Sequence, residues 1–194
     1  MTIFSNTKIS TRKLTLAALL TALVVLLQFL GSFIKFGMFS VTLVLIPIVI
    51  GAATCGPLIG LWLGTVFGAV VLISGDASLF LAINVPGTIA TVLLKGAACG
   101  LMAGVTYKLL ERFNRYVAVF AAAIVCPLVN TGIFFLGSLL FFYDAIAEWA
   151  LGAGFGDNVA AYMFIGLAGA NFLFELLFNI VLSPVIVRLL NIRR

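Results

Sequence analysis

No histidine occurs in the sequence, and charged side chains make up only 9% of it. The first absence removes the Ser–His pairs and His-rich metal sites that intramembrane enzymes commonly use. An aspartyl mechanism would need two facing acids, and Glu175 is the only acid inside a long apolar run. The scarcity of charge excludes a water-soluble fold. Soluble domains carry about 25% charged and about 45–50% apolar residues, whereas this chain is 64% hydrophobic with a mean hydropathy of +1.31. Cysteine is also sparse: Cys55, Cys99 and Cys126 stand in or beside separate apolar runs without metal-ligand or redox spacing, and read as small packing residues. Nothing in the pattern calls for a metal or a cofactor.

What remains is apolar sequence in long, unbroken runs. In lipid every backbone N–H and C=O must be satisfied internally, which leaves helices or closed barrels. Barrel strands read as alternating segments of about 10 residues, unlike these. The fold class is therefore an all-α membrane protein, and runs of about 17–25 apolar residues predict six transmembrane helices. They are Leu14 to Phe33, Phe39 to Ala53, Leu58 to Ile73, Leu79 to Tyr107, Tyr116 to Phe142 and Val159 to Leu190. The second and third are set short by Pro47 and Pro57, with Gly56 and Pro57 forming the turn between them. Residues 1–13 form a polar, basic N-terminal segment, 14–190 a single six-helix domain and 191–194 a tail. The first apolar run is too long for a secretory signal core, so it reads as a retained helix.

Lysine and arginine in short loops mark the cytoplasmic side. With six spans, Lys8, Arg12, Lys13, Lys108, Arg112, Arg115, Arg188, Arg193 and Arg194 all fall on one face. The other face receives Lys35 with Asp76, Asp144, Glu148 and Asp157. Both termini are thus expected in the cytoplasm, and the net charge of +5 is a topology signal, not a nucleic-acid patch.

Membrane helices associate through small residues, since lipid tails supply no hydrophobic push. Gly56, Gly60, Gly64 and Gly68 repeat every fourth residue along span three, and Gly96, Gly100 and Gly104 do so along span four. These stripes predict close helix contact, with the two spans as a hairpin closed by Ser74, Gly75 and Asp76. A shorter pair, Ala18 and Ala22, suits a surface that docks a partner helix.

Charged residues at the bilayer centre cost about 2.5–3.5 kcal/mol each on the insertion scale. Lys95 in span four and Glu175 in span six are the only two at that depth. Thr88, Thr91 and Lys95 share one helix face, as do Asn171 and Glu175, with Asn179 one turn further. Asn130 and Thr131 follow Pro127 in span five, and Asn84 stands at the outer mouth of span four. Two readings are open. Lys95 and Glu175 form a buried ion pair with the amides and hydroxyls as interhelical glue, or Asn84, Thr88, Thr91, Lys95, Asn130, Thr131, Asn171 and Glu175 line a pocket for a small solute. Phe33, Phe36, Phe39, Asp76, Tyr143 and Trp149 crowd the outer connections, where they would gate such a pocket. The stretch from Tyr143 to Asp157, glycine-rich at its end, reads as a mobile lid.

Three segments together resemble a known family. They are Thr11 to Ala22 (TRKLTLAALLTA), Leu45 to Ala52 (LIPIVIGA) leading to Gly56, Pro57 and Gly60, and Leu94 to Gly104 (LKGAACGLMAG) before a basic inner loop. The chain is similar, over nearly its whole length, to the substrate-binding S-components of energy-coupling factor transporters, which capture vitamins in prokaryotes. That resemblance implies a multi-pass protein of the prokaryotic cell membrane, a six-helix fold with both termini inside, and a solute site in the outer half. It also implies an Ala-xxx-Ala stripe, matched by Ala18 and Ala22, that docks a transmembrane coupling subunit working with two ATP-binding subunits. The chain itself lacks a Gly-x-x-x-x-Gly-Lys-Ser/Thr phosphate loop, consistent with hydrolysis by a partner. The resemblance leaves the ligand open among riboflavin, pantothenate, folate, biotin and thiamine. Lys95 favours an anion such as pantothenate unless Glu175 neutralises it. A different class also fits the sequence: a non-transporting scaffold or envelope-biogenesis protein whose deep polar groups are glue.

Overall fold

A computed structural model describes residues 11–33, 35–36, 39–40, 43–167 and 169–192, with backbone alone at 35–36, 39–40, 170 and 189–192. Lys8, Arg193 and Arg194, and the side chains of Phe36 and Phe39, lie outside the described residues. Helix α1 spans Thr11–Ser32 and is followed by two short strands, β1 (Lys35–Phe36) and β2 (Phe39–Ser40). These pair antiparallel, with Lys35 opposite Ser40 and Phe36 opposite Phe39. Then come α2 (Leu45–Cys55), α3 (Pro57–Ser74), α4 (Ser78–Ile83), α5 (Val85–Leu110), α6 (Arg115–Phe141) and α7 (Tyr143–Gly152). A single turn, α8 (Val159–Ala161), leads through a π-helical turn at Tyr162–Leu167 into α9 (Gly169–Ile192).

Five helices, α1, α3, α5, α6 and the Asn171–Arg188 stretch of α9, are long and apolar enough to cross a membrane. The second predicted span is different. Its helix has 11 residues, about 16 Å at 1.5 Å per residue, because the chain through Phe39 and Ser40 is a strand and not the start of a helix. Hydropathy cannot tell an apolar strand from an apolar helix. The fourth span is also interrupted. Asn84 is extended (φ −148°, ψ 97°) and caps α5, its Oδ1 accepting from the Gly87 N–H at 3.0 Å. Pro86, in the first turn of α5, has no N–H to lose there. Leu79 to Ile83 therefore belong to the separate short α4. The sixth span is broken by the π turn, within which Gly166 favours a regular helix least.

The predicted glycine hairpin is present. A Cβ added at Gly60 would collide with the Gly100 carbonyl and one at Gly64 with that of Gly96, while one at Gly68 would lie 2.7 Å from the Val92 carbonyl. A Cβ added at Gly104 would likewise lie 2.6 Å from the Pro57 Cα. The α3 and α5 backbones therefore run antiparallel in direct contact, the geometry that small residues permit. Gly75 ends α3 in the left-handed region (φ 86°), and Gly56 (φ 108°) makes the predicted turn before Pro57.

Three contacts order the ends of the bundle. Cys55 Sγ lies 3.8 Å from the Lys13 carbonyl, so α2 finishes beside the start of α1. At the opposite end the Gln28 Nε2 donates to Asp76 Oδ2 at 2.6 Å, joining the end of α1 to the turn after α3. Ile186 and Val187 of α9 share a buried cluster with Ala118 and Val119 of α6, so Arg188 and Arg115 belong to one end. That cluster, which includes Val24, Leu45, Ile48, Leu63, Phe67 and the buried Cys99 and Cys126, forms the main core. A second cluster at the other end joins Phe80 and Phe142 to Ile146 and Ala150 of α7 and to Tyr162, Met163 and Leu167.

Candidate functional site

A cavity of about 70 Å³ lies between α1, α3, α5, α6 and α9. Seven of the eight residues singled out from sequence line it: Thr88, Thr91 and Lys95 from α5, Asn130 and Thr131 from α6, and Asn171 and Glu175 from α9. Spacing accounts for this convergence, since residues three and four apart share a helix face. Asn84 does not join them, because its side chain is spent capping α5. Thr88 donates its hydroxyl to the Asn84 carbonyl at 2.7 Å, binding the first turn of α5 together.

Glu175 is 2% exposed and held by two amides. Asn171 Nδ2 donates to Oε1 at 3.0 Å and Asn130 Nδ2 donates to Oε2 at 3.4 Å. Asn179 Nδ2 donates to the Glu175 carbonyl at 2.9 Å. Lys95 is placed otherwise. Its Nζ lies 5.7 Å from the ring centre of Phe67 and 5.6 Å from that of Phe134, a cation seated between two aromatic rings. Among the described residues it makes no hydrogen bond or ion pair. Lys95 and Glu175 are therefore not in direct contact: asparagine amides donate to the carboxyl group, and the ammonium lies between rings. The two still lie within electrostatic reach of each other and of Asp76.

Of the outer residues expected to gate the pocket, Asp76 lines the cavity itself, accepting from Gln28 at 2.6 Å and from the Ser74 hydroxyl at 3.3 Å. Trp149 sits one layer out, its ring 5.7 Å from that of Phe80, which lines the cavity. Phe33 is 83% exposed, and Tyr143 lines a separate, more open pocket of about 380 Å³ beside Asp157 and Asn158. The expected lid is a helix for most of its length: Tyr143–Gly152 is α7, anchored by buried Ile146 and Ala150, with Gly154 and Gly156 in positive-φ turns beyond it.

Sequence reading missed Gln28 and the aromatic walls, Phe67, Phe80, Phe134, Phe142 and Phe172. Gln28 carried a usable signal as the one amide in an otherwise apolar first span. The phenylalanines did not, since 18 of them are spread through the chain and interfacial aromatics are common to membrane proteins.

On α1 the buried face runs Ala17, Leu20, Val24, Gln28 and Gly31. Ala18 and Ala22 lie on the exposed side with Leu14, Leu26 and Leu30, each four residues apart.

Residues 12–187 match the family model described as ECF transporter, substrate-specific component. No curated protein and no solved structure matches the chain.

Proposed function

The chain belongs to the substrate-specific components of ECF transporters, and from that premise we propose that it captures an anionic vitamin or related micronutrient, pantothenate before riboflavin, at the outer side of a prokaryotic cell membrane. The observation that carries this reading is Lys95, whose ammonium lines the cavity between Phe67 and Phe134 without a direct hydrogen bond or ion-pair contact among the described residues. A desolvated cation is costly unless paired, and a solute carboxylate supplies the missing charge-assisted bonds. Thr88, Thr91, Asn130, Thr131, Asn171 and Glu175 complete the wall. The room is that of a few waters, so a vitamin enters by displacing lining side chains such as Phe80 and Phe142, which pack towards α7.

The protein crosses the bilayer six times in this reading. The α2 helix alone is too short, but the strand residues Phe39 and Ser40 precede it in the chain. Val44, Leu45, Ile48 and Val49 are buried, and non-helical backbone at depth is tolerated where protein covers it. The contact between Cys55 and Lys13 supports α2 returning to the end where α1 begins, which puts both termini in the cytoplasm with the basic loops. Ala18 and Ala22, exposed on α1, dock a transmembrane coupling subunit, and two ATP-binding subunits drive transport.

Equilibrium dialysis of the purified protein against a mixed vitamin pool, read by mass spectrometry, tests the proposal. We expect retention of an anionic vitamin by the native protein. Lys95→Ala should weaken it by about 10- to 100-fold, the loss of a charge-assisted hydrogen bond worth about 1.5–3 kcal/mol, with the melting temperature little changed. Retention of no solute by folded protein would refute the function. Undiminished affinity in Lys95→Ala would refute the role of the lysine.

A further inference from the structure

The amides around Glu175 fix which atom Asn130 turns away from it. Asn130 and Asn171 both present their NH2 groups to the Glu175 carboxyl oxygens, at 3.4 and 3.0 Å, the arrangement a carboxylate, which only accepts, calls for. The Asn130 side chain thus turns its oxygen away from Glu175. Its Oδ1 is left as an acceptor. Asn130 is 4% exposed, lines the cavity, and among the described residues its Oδ1 receives no hydrogen bond. Buried acceptors are rarely left unpaired.

The cavity wall therefore carries a cation with unused donors, Lys95, together with Asn130, whose Oδ1 is buried in that wall without a donor, among the apolar side chains of Phe67, Val92 and Phe134. We infer that the solute is an amido- or hydroxy-carboxylate, with its carboxylate on Lys95 and an N–H or O–H donor nearby on Asn130 Oδ1, and that Glu175 is a positioning residue that holds this amide in its reading orientation. The inference rests on the cavity being the solute site. It narrows the ligand from any anion to one that carries a donor close to its charge. A site built to bond a donor group rejects analogues lacking it strongly, since its own polar atom is then stranded.

The test uses the purified full chain and an equimolar panel of pantothenate, nicotinate, biotin and thiamine. Pantothenate has an amide N–H close to its carboxylate. Nicotinate has a carboxylate without a donor, biotin has its ureido donors far from the carboxylate, and thiamine is a cation. The native protein should retain pantothenate at least about tenfold over the other three. Glu175→Gln removes a buried charge and keeps the shape, but its own NH2 lets the Asn130 amide rotate. Its preference for pantothenate over nicotinate should fall about tenfold while its melting temperature holds. A merely structural Glu175 would lower stability without changing that ratio.

Retention of nicotinate, biotin or thiamine in place of pantothenate overturns the donor inference and leaves the solute site standing. Retention of none of the four by folded protein overturns both. A Glu175→Gln protein with unchanged preference overturns the positioning role. The native panel tests the donor without any variant, so a Glu175→Gln protein that fails to fold does not protect the inference.

Discussion

Gly64→Ala and Gly132→Ala are chemically one substitution and should move stability in opposite directions. A methyl at Gly64 points into the Gly96 carbonyl, which is backbone and cannot rotate aside. The α3 and α5 axes must separate, and because Gly60 on Gly100 and Gly68 on Val92 belong to the same seam, the neighbouring contacts loosen with it. Overpacking costs about 1–3 kcal/mol, against which alanine's better helix preference returns about 1 kcal/mol. The net is about 0–2 kcal/mol of destabilisation. Gly132 lies inside α6 with nothing within 4 Å of an added Cβ, so there the gain of up to about 1 kcal/mol is kept. For a chain of this length 1 kcal/mol corresponds to about 2–4 °C. Thermal melting in one detergent should therefore show Gly64→Ala up to several degrees below the native protein and Gly132→Ala a few degrees above it. Gly96 adjoins Lys95, so solute retention should weaken in the first variant alone. A Gly64→Ala protein as stable as Gly132→Ala would refute the direct backbone contact.

Three further outcomes follow from the geometry. Ala18→Trp, on the exposed side of α1, should abolish co-purification with the coupling subunits while solute retention by the isolated chain is unchanged; lost retention with intact assembly would reverse that assignment. Gln28→Leu removes a 2.6 Å hydrogen bond to Asp76 and should cost about 1.5–3 kcal/mol, the range for bonds to charged groups, read as a lower melting temperature. Trp149→Ala strips the outer layer from Phe80, an edge-to-face contact worth about 0.5–1.5 kcal/mol. It should speed solute dissociation several-fold in a filter-binding chase, with retention at equilibrium falling by no more than about tenfold.

Features carried by local spacing were legible in the sequence. The stripe Gly60, Gly64 and Gly68 announced a close backbone approach because a four-residue period needs no knowledge of the partner, and the matching stripe supplied one. The faces formed by Thr88, Thr91 and Lys95, and by Asn171 and Glu175, were legible for the same reason. Whether Lys95 met Glu175 was not. It depends on how three helices rotate about their axes, and Asn130, from a third helix, reaches the carboxylate instead. The breaks in the second, fourth and sixth spans escaped because mean hydropathy is blind to backbone conformation. At Asn84 a sharper signal existed: an Asn two residues before a Pro is a helix start. The connection after α6 read as a lid loop because its glycines dominate the pattern, yet they follow a helix and do not fill it.

Helix α1 has two occupied faces. Its 22 residues make a rod of about 33 Å at 1.5 Å per residue, with Gln28 on the cavity side near one end and Ala18 and Ala22 on the opposite side nearer the other. A rod transmits a tilt without any change in its own hydrogen bonds. If a solute shifted Gln28 and its bond to Asp76, the far end of α1 would swing by leverage, and a partner resting on the alanines would feel the cavity fill through one stiff arm, with no relay through the core.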